Sequence, residues 1–545
     1  MRYRILLLAA LSAFAANAAN PFLPLWEFIP DGEPYVFEDP DNPGRERVYV
    51  YGSHDTVRTG YCGHDLVVWS ASVDDLDKWR FDGVILRVDK DANGEFLDKR
   101  NRGDLLYAPD VALVTDKDGK KTYYLYPNDQ EKGRKNLIAK SDRPDGPFEV
   151  CNWSESNPKE TVGCMGFDPA VLVDDDGRVY GYWGIEKSYC AELDPATMAT
   201  LKPGTQITEG MVSHLHEEGP FRFFEASSIR KIKDKYVFIY SRWTKDGEFG
   251  LPNSNYTLAY AYSDKPLGPW KYGGTIIDGR ARQTLPDGTV RATAVPGGNT
   301  HGSICEIGGR WWVFYHRQSN TDDFSRQAMV APIEVKVEEG PGGKVEISEG
   351  EYTSEGFETD GLDPFKRHAA GIACYFTGPE PAVQKYPFVE YPGAYVQTFR
   401  SESYWVEDPY ADWINKAYMV HITSGSQIGY KYFNFDKTHG LDDVKLEFTF
   451  VPKGVDGAMR VFADAPSAKE GGTLLGTYVF HAGDPETPQT AVLAVPALAV
   501  APAADEARSV SAISRLKGKH ALYFVFAARQ KGQSICELRD FRFVR

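Results

Sequence analysis

The chain has 545 residues, too many for one ordinary domain, and its formal net charge is −16. With no basic cluster, that balance argues against nucleic acid or an anionic membrane as partner. Hydrophobic residues make up 42% and aromatics 13% of the chain, which suits a β-rich globular protein and also sugar recognition, because ring faces stack on sugar C–H surfaces. Seven cysteines without a CxxC pair speak against a cysteine-built metal site. Cys151 and Cys164 could bridge, or sit as core thiols.

Residues 1–18 read as a secretory signal peptide. Arg2 and Arg4 precede an apolar run over residues 5–16, which ends in Ala16-Asn17-Ala18 and is too short to span a membrane. The expected location is periplasmic or secreted. After a lead-in over residues 19–30, one unit recurs five times: a polar residue, an apolar run, a tight turn and an aromatic-rich run. Asp31 opens residues 35–37 and 47–51. Asp110 opens 111–114 and 123–126. Asp168 opens Ala170–Val173 and Val179–Trp183 across the turn Asp174-Asp175-Asp176-Gly177. Glu225 opens 229–232 and 236–240. His301 opens 304–307 and 311–315 across Gly308-Gly309. Asx-Gly or Gly-Gly between such runs is a hairpin signal.

The same offset separates Asp168 from Tyr180, Glu225 from Val237 and His301 from Val313. Asp31 to Tyr49 matches once residues 39–44 are taken as an insertion, and Asp110 to Tyr124 is longer by its turn. Further strands over 66–70, 137–141 and 258–263 precede Trp79, Phe148 and Trp270, the expected aromatics between units. Such repeats imply an all-β chain with a five-bladed β-propeller over residues 19–360, its opening residues converging on one pocket. The alternative is a β-sandwich whose acids are solvated strand caps. Residues 361–384, rich in Gly, Pro and acids, read as a linker or boundary region. Residues 385–545 carry seven or more short strand-like runs and read as a β-sandwich, with residues 493–504 as a loop or edge strand.

Convergent acids without a metal motif, a Ser/His/Asp set or a phosphate loop suit glycosidic-bond cleavage. That reaction needs one protonated carboxyl and one ionised carboxylate at the same pH.

The repeats resemble glycoside hydrolase family 43. The residues that carry the resemblance are Ile29-Pro30-Asp31-Gly32-Glu33-Pro34, Tyr49-Val50-Tyr51-Gly52-Ser53-His54-Asp55, Tyr107-Ala108-Pro109-Asp110, Phe167-Asp168-Pro169, Phe223-Phe224-Glu225-Ala226, Gly298-Asn299-Thr300-His301-Gly302 and Phe324-Ser325-Arg326-Gln327. The resemblance implies five-bladed propellers that invert the anomeric configuration. It assigns the general base to Asp31, with Glu33 as competitor, the pKa-modulating acid to Asp168 and the general acid to Glu225. It places Asp110 and Arg326 against substrate. His301 becomes either a pocket histidine or the ligand of a buried cation such as calcium, with no cofactor required. His54 and Asp55 read as structural. The C-terminal region resembles the jelly-roll of family-6 carbohydrate-binding modules through residues 427–433 and 518–526. Tyr404, Trp405, Tyr410 and Trp413 are its candidate sugar-binding aromatics.

The resulting expectation is an exo-acting α-L-arabinofuranosidase, β-xylosidase or both, acting on polysaccharide or oligosaccharide. Insertions at residues 87–104 and 247–255 are candidate pocket walls. The alternatives are an endo-arabinanase, a galactan-cleaving relative or a non-catalytic glycan-binding propeller. A retaining fructan-type propeller is disfavoured, since its Asn-Asp-Pro-Asn and Arg-Asp-Pro motifs are missing.

Overall fold

The computed structural model describes residues 19–57, 59–399, 417–441, 443–493 and 512–545. The expected signal peptide, the aromatics at 404, 405, 410 and 413, and nearly all of 493–504 lie outside the described residues. No described helix is long and apolar enough to cross a membrane. All seven cysteines are free, so Cys151 and Cys164 do not bridge.

Five antiparallel sheets follow one another along the chain, each with its strands in sequence order. The first comprises Glu33–Glu38, Glu46–Gly52, Leu66–Ser72 and Asp75–Leu86. The second comprises Leu106–Thr115, Lys121–Asp129, Ala139–Ser141 and Glu149–Val150. Ala170–Val173, Val179–Trp183, Tyr189–Leu193 and Thr208–Glu209 form the third. Phe223–Ile232, Lys235–Arg242, Thr257–Ser263 and Lys271–Asp278 form the fourth. The fifth has three strands, Ser303–Ile307, Arg310–Gln318 and Arg326–Ile333. Its first hairpin turns at Gly308 and Gly309, whose φ values of +59° and +80° only glycine adopts freely.

The five first strands stand next to one another in order, and the fifth returns to the first. The sheets therefore close into a ring. Aromatic side chains pack where sheets meet. The Trp270 ring lies 6.2 Å from Tyr182 of the third sheet and 5.8 Å from Phe238 of the fourth. Trp79 shares a buried cluster with Trp312 and Phe314 of the fifth. The lead-in seals the ring: Asn20 Nδ2 donates to the carbonyls of Val330 and Thr353, and Asn20 Oδ1 accepts from the Val330 amide.

A polar plug crosses the axis. Arg230 of the fourth sheet donates to Glu33 Oε2 at 2.7 Å, to the Tyr35 hydroxyl at 3.0 Å and to the Ile304 carbonyl at 3.0 Å. Tyr35 donates to Asp110 Oδ1 at 2.6 Å, and the Val171 amide donates to Asp110 Oδ2 at 2.6 Å. One connected network thus ties all five sheets together.

Two more sheets fill the C-terminal region. One pairs Tyr395–Thr398, Ala417–Ile422, Cys536–Val544, Lys445–Pro452 and Gln489–Leu493, with His368–Ala369 added beside Cys536–Val544. The other runs Tyr375–Thr377, Gln427–Asn434, Lys519–Ala528, Gly457–Ala463 and Thr473–Phe480. They face each other through aromatics: the Phe541 ring is 4.6 Å from Tyr430 and 5.2 Å from Phe524.

Residues 361–384 are therefore not a linker, because they supply a strand to each of these sheets. Their glycine content reflects close packing: a Cβ on Gly371 would sit 2.6 Å from the Ala417 backbone. The same stretch binds the ring. Arg317 of the fifth sheet, 1% exposed, donates to the carbonyls of Ala373 and Gly371 at 2.9 and 2.5 Å. One buried apolar cluster runs from Val237 and Val313 in the ring to Phe448 and Phe524 beyond it.

Candidate active site

Where the first strands begin, the backbone departs from strand geometry. Asp31 and Asp168 adopt φ of +60° and +47°, a left-handed conformation that aspartate tolerates better than most side chains. Glu225 sits in a break of register between Phe223 and Ser228, where a bulge re-aims side chains. All three carboxyls line one cavity of about 1110 Å³, together with His301 and Arg326.

Asp31 is held on every side. Its Oδ1 accepts from Arg326 Nη1 at 3.0 Å, and its Oδ2 accepts from Ser53 Oγ at 2.6 Å. Its amide donates to His316 Nδ1 at 3.3 Å, and His316 Nε2 donates to the Asn299 carbonyl at 2.9 Å. Burial alone would push the Asp31 carboxyl up, but its charged and hydrogen-bonding neighbours hold it below the usual range. Burial brings His316 down to about 3 and His301 to about 4. Both are neutral near pH 7, so the Arg326 charge and the Ser53 hydroxyl dominate there.

Arg326 lines the cavity with its guanidinium already engaged. Its Nε and Nη2 fork onto Asp55 at 2.9 and 2.8 Å, and its guanidinium lies 4.9 Å from the Tyr61 ring. Only 2% exposed, it serves to fix and charge-pair Asp31. Asp55 is structural in that it anchors this arginine. His54 lies apart, between Glu27 and Asp65.

The other two carboxyls face a different environment. Burial, then Asp31, push Glu225 up to about 8, against an opposing pull from Arg326. Burial, then Glu225 and Asp31, also raise Asp168. Asp168 accepts from Asn128 Nδ2 at 2.7 Å and from the Ala226 amide at 3.2 Å. Both donors favour its ionised form, whereas no hydrogen bond of that kind reaches Glu225 among the described residues. When this pair holds one proton, the donors place it on Glu225.

Two expected site residues are elsewhere. Asp110 does not line the cavity; both its oxygens are engaged in the plug. Glu33, the competitor of Asp31, is 1% exposed and ion-paired with Arg230 in the same plug. His301 does line the cavity, with Nδ1 3.6 Å from Asp168 Oδ2 and Nε2 without a hydrogen-bond partner. Among the described residues no three His, Cys, Asp or Glu side chains gather to hold a metal ion.

Sequence reasoning missed Ser53, Asn128 and His316. A signal existed for the first two. Glu33 pairs with Tyr51 and Asp110 with Tyr126. Ser53 and Asn128 each stand two positions beyond those tyrosines, level with the cavity. Of the two expected insertions, residues 250–255 line the cavity and residues 87–104 do not. Part of the wall, unexpectedly, comes from residues 376–394 of the C-terminal region.

Residues 43–341 match the family described as Glycosyl hydrolases family 43. The chain is 34% identical over 455 residues to a xylosidase/arabinosidase of Thermoclostridium stercorarium, covering 80% of this chain and 86% of that one. It is 30% identical over 318 residues to xylosidase/arabinosidase 43A of Humicola insolens, covering 50% and 84% respectively. Among solved structures, a family 43 arabinoxylan arabinofuranohydrolase from Bacillus subtilis, in complex with cellotetraose, aligns at 19% identity and TM-score 0.41, covering 97% and 98% of the two chains. The family match makes the chain a glycoside hydrolase, and three carboxyls line the cavity at the mouth of its ring of sheets. The chain belongs to glycosyl hydrolases family 43, whose members invert the anomeric configuration. Asp110, Asp168, Glu225, His301 and Arg326 fall inside the matched residues, and Asp31 precedes them.

Proposed function

We propose that this protein is an exported exo-glycosidase of plant-type pentosans, an α-L-arabinofuranosidase, a β-xylosidase or both. The observation that carries the mechanism is the opposite charge state of two carboxyls on one cavity: Asp31 is held ionised, and Glu225 is pushed up to about 8. Inversion by single displacement needs that combination. Asp31 takes a proton from a water, whose oxygen attacks the anomeric carbon. The glycosidic bond breaks on the opposite face, and Glu225 gives its proton to the departing oxygen. Ionised Asp168 favours the proton on Glu225. Afterwards Asp31 releases its proton to solvent and Glu225 regains one.

Exo action is supported by the plug. The cavity residues open the strands, and Glu33, Tyr35, Asp110 and Arg230 lie a few positions further along them, beneath the cavity floor. The pentosan assignment rests on the xylosidase/arabinosidase relatives. No cofactor enters this mechanism, and dialysis against EDTA is expected to leave activity intact.

The five sheets are read as blades of a five-bladed β-propeller, supported by their ring closure. The C-terminal pair is read as a jelly-roll of the family-6 carbohydrate-binding-module kind. Its support is Gly429, where a Cβ would meet the Tyr523 ring at 2.8 Å. Export rests on residues 1–18, and the mature protein is expected to begin at Ala19 by N-terminal sequencing.

The test is release of arabinose and xylose from arabinoxylan and arabinan by wild type, Asp31→Ala and Glu225→Gln. Release by wild type that both variants lose supports the two roles. Glycan binding without release by wild type favours a lectin-like propeller. Activity surviving in Asp31→Ala removes it as base. The first-formed anomer, followed by proton NMR, is expected to be inverted.

A further inference from the structure

The hairpin Val383–Lys385 and Phe388–Glu390 belongs to the C-terminal region yet stands at the cavity of the ring. It is docked on the loop before the last strand of the fifth sheet. The Asp323 amide donates to the Pro387 carbonyl at 3.0 Å, and the Val389 amide donates to the Thr321 carbonyl at 3.0 Å. Gln384 Nε2 donates to Asp323 Oδ2 at 3.0 Å. Asp323 is fully buried, lines the cavity and leaves Oδ1 without a partner.

Tyr386, at the hairpin tip, lines the cavity and is 73% exposed, and Val383 beside it is 49% exposed. Ile185, which also lines the cavity, is 44% exposed. Ring and aliphatic surface left in water at a cavity mouth is covered when a sugar ring lies on it. The hairpin also reaches the centre of the site. The Tyr61 hydroxyl neighbours that of Tyr386, and the Tyr61 ring lies against the guanidinium that holds Asp31.

We infer that this hairpin is the platform for the leaving-group side of the substrate, with Tyr386 as the ring on which the first sugar beyond the cleaved bond stacks. The inference rests on the exo-glycosidase reading above. The deeply buried Asp31, Asp168, His301 and Arg326 surround the sugar to be released, so the departing chain must leave past the exposed rim. The C-terminal region then selects oligosaccharides over simple pentosides and takes part in catalytic efficiency.

The test uses the full mature protein with Tyr386→Ala, Tyr386→Phe and, as a control, Lys385→Ala, whose ammonium is paired with Glu390 outside the cavity. Two substrates are compared: a pentosyl fluoride, whose leaving group has no ring, and an arabinoxylan oligosaccharide. For Tyr386→Ala, kcat/KM on the oligosaccharide is expected to fall roughly tenfold more than on the fluoride, mostly through KM. Tyr386→Phe should restore most of that ratio, and Lys385→Ala should leave it unmoved. Equal losses on both substrates, or no loss, overturn the hairpin's role while leaving the active site in place. Wild type that cleaves neither substrate overturns the exo-glycosidase reading and this inference with it.

Discussion

Two layers of buried acids lie along the axis of the ring, and they differ in what their oxygens do. In the plug, Glu33 and Asp110 are bound by Arg230, Tyr35 and a neighbouring amide, and the network ties the sheets together. In the cavity, Asp31, Asp168 and Glu225 border open space, and at least Glu225 keeps its carboxyl free of hydrogen bonds among the described residues. Asp31 and Glu33 are one turn of the strand pleat apart. Burial is common to both layers. What separates chemistry from structure is whether the carboxyl borders the open cavity, where water and sugar can reach it; Asp31 and Asp168 do so while keeping their hydrogen bonds.

The largest test of this comparison exchanges one acid from each layer. Glu225→Gln is expected to cut oligosaccharide hydrolysis by about 10²–10⁴-fold while leaving the melting temperature nearly unchanged. Glu33→Gln should do the reverse, losing stability with the remaining activity per folded molecule preserved. Calorimetry beside rate measurements decides it, and a Glu33 variant that is fully stable but inactive would break the distinction.

Removing the cation of the plug comes next. Arg230→Met leaves buried carboxyls uncompensated, a loss of about 3–5 kcal/mol for a buried pair broken on one side. Chemical denaturation of the variant against wild type measures it.

The pH profile sharpens the cavity side. In the proposed mechanism Glu225 acts protonated, so activity should fall as pH rises through about 8. The proposed base, Asp31, acts ionised and is held low, so the acid limb should lie below the usual carboxylate range. Arg326→Gln removes the main charge holding it there, and the acid limb should then move to higher pH by about 1–3 units. A limb that stays in place would remove Arg326 as the group that keeps Asp31 ionised.

The smallest effect concerns Asn128. Asn128→Leu removes a donor that favours ionised Asp168. The shared proton then shifts toward Asp168, Glu225 gives its proton up more readily, and the alkaline limb should fall by about one unit.

How much of this was legible depends on the range of the signal. The hairpins, their turns and the aromatics between sheets were readable because each is set within a few residues: alternation fixes the faces and Asx-Gly or Gly-Gly fixes the turn. The opening acids Asp31, Asp168 and Glu225, with His301, were readable because the repeat brings them to one end of their strands. Asp110 looked equivalent and was not. Its strand breaks register between Tyr107 and Asp110, so the residues that reach the cavity are Tyr107 and Ala108, and Asp110 drops to the level of Glu33. A bulge adds residues without changing the local alternation, so the longer spacing from Asp110 to Tyr124 reads equally well as a longer turn.

By itself, then, the chain determined the element types, their order and the set of acids at the strand starts, since these follow from local propensity and periodicity. Tertiary structure decided the rest. It chose which acids meet water and which meet Arg230, made Arg326 the clamp on Asp31, and carried a hairpin from the C-terminal region to the cavity mouth. Each of those depends on contacts between residues far apart in sequence. Burial, opposing charge and hydrogen bonding act on a carboxyl only through the neighbours that folding supplies.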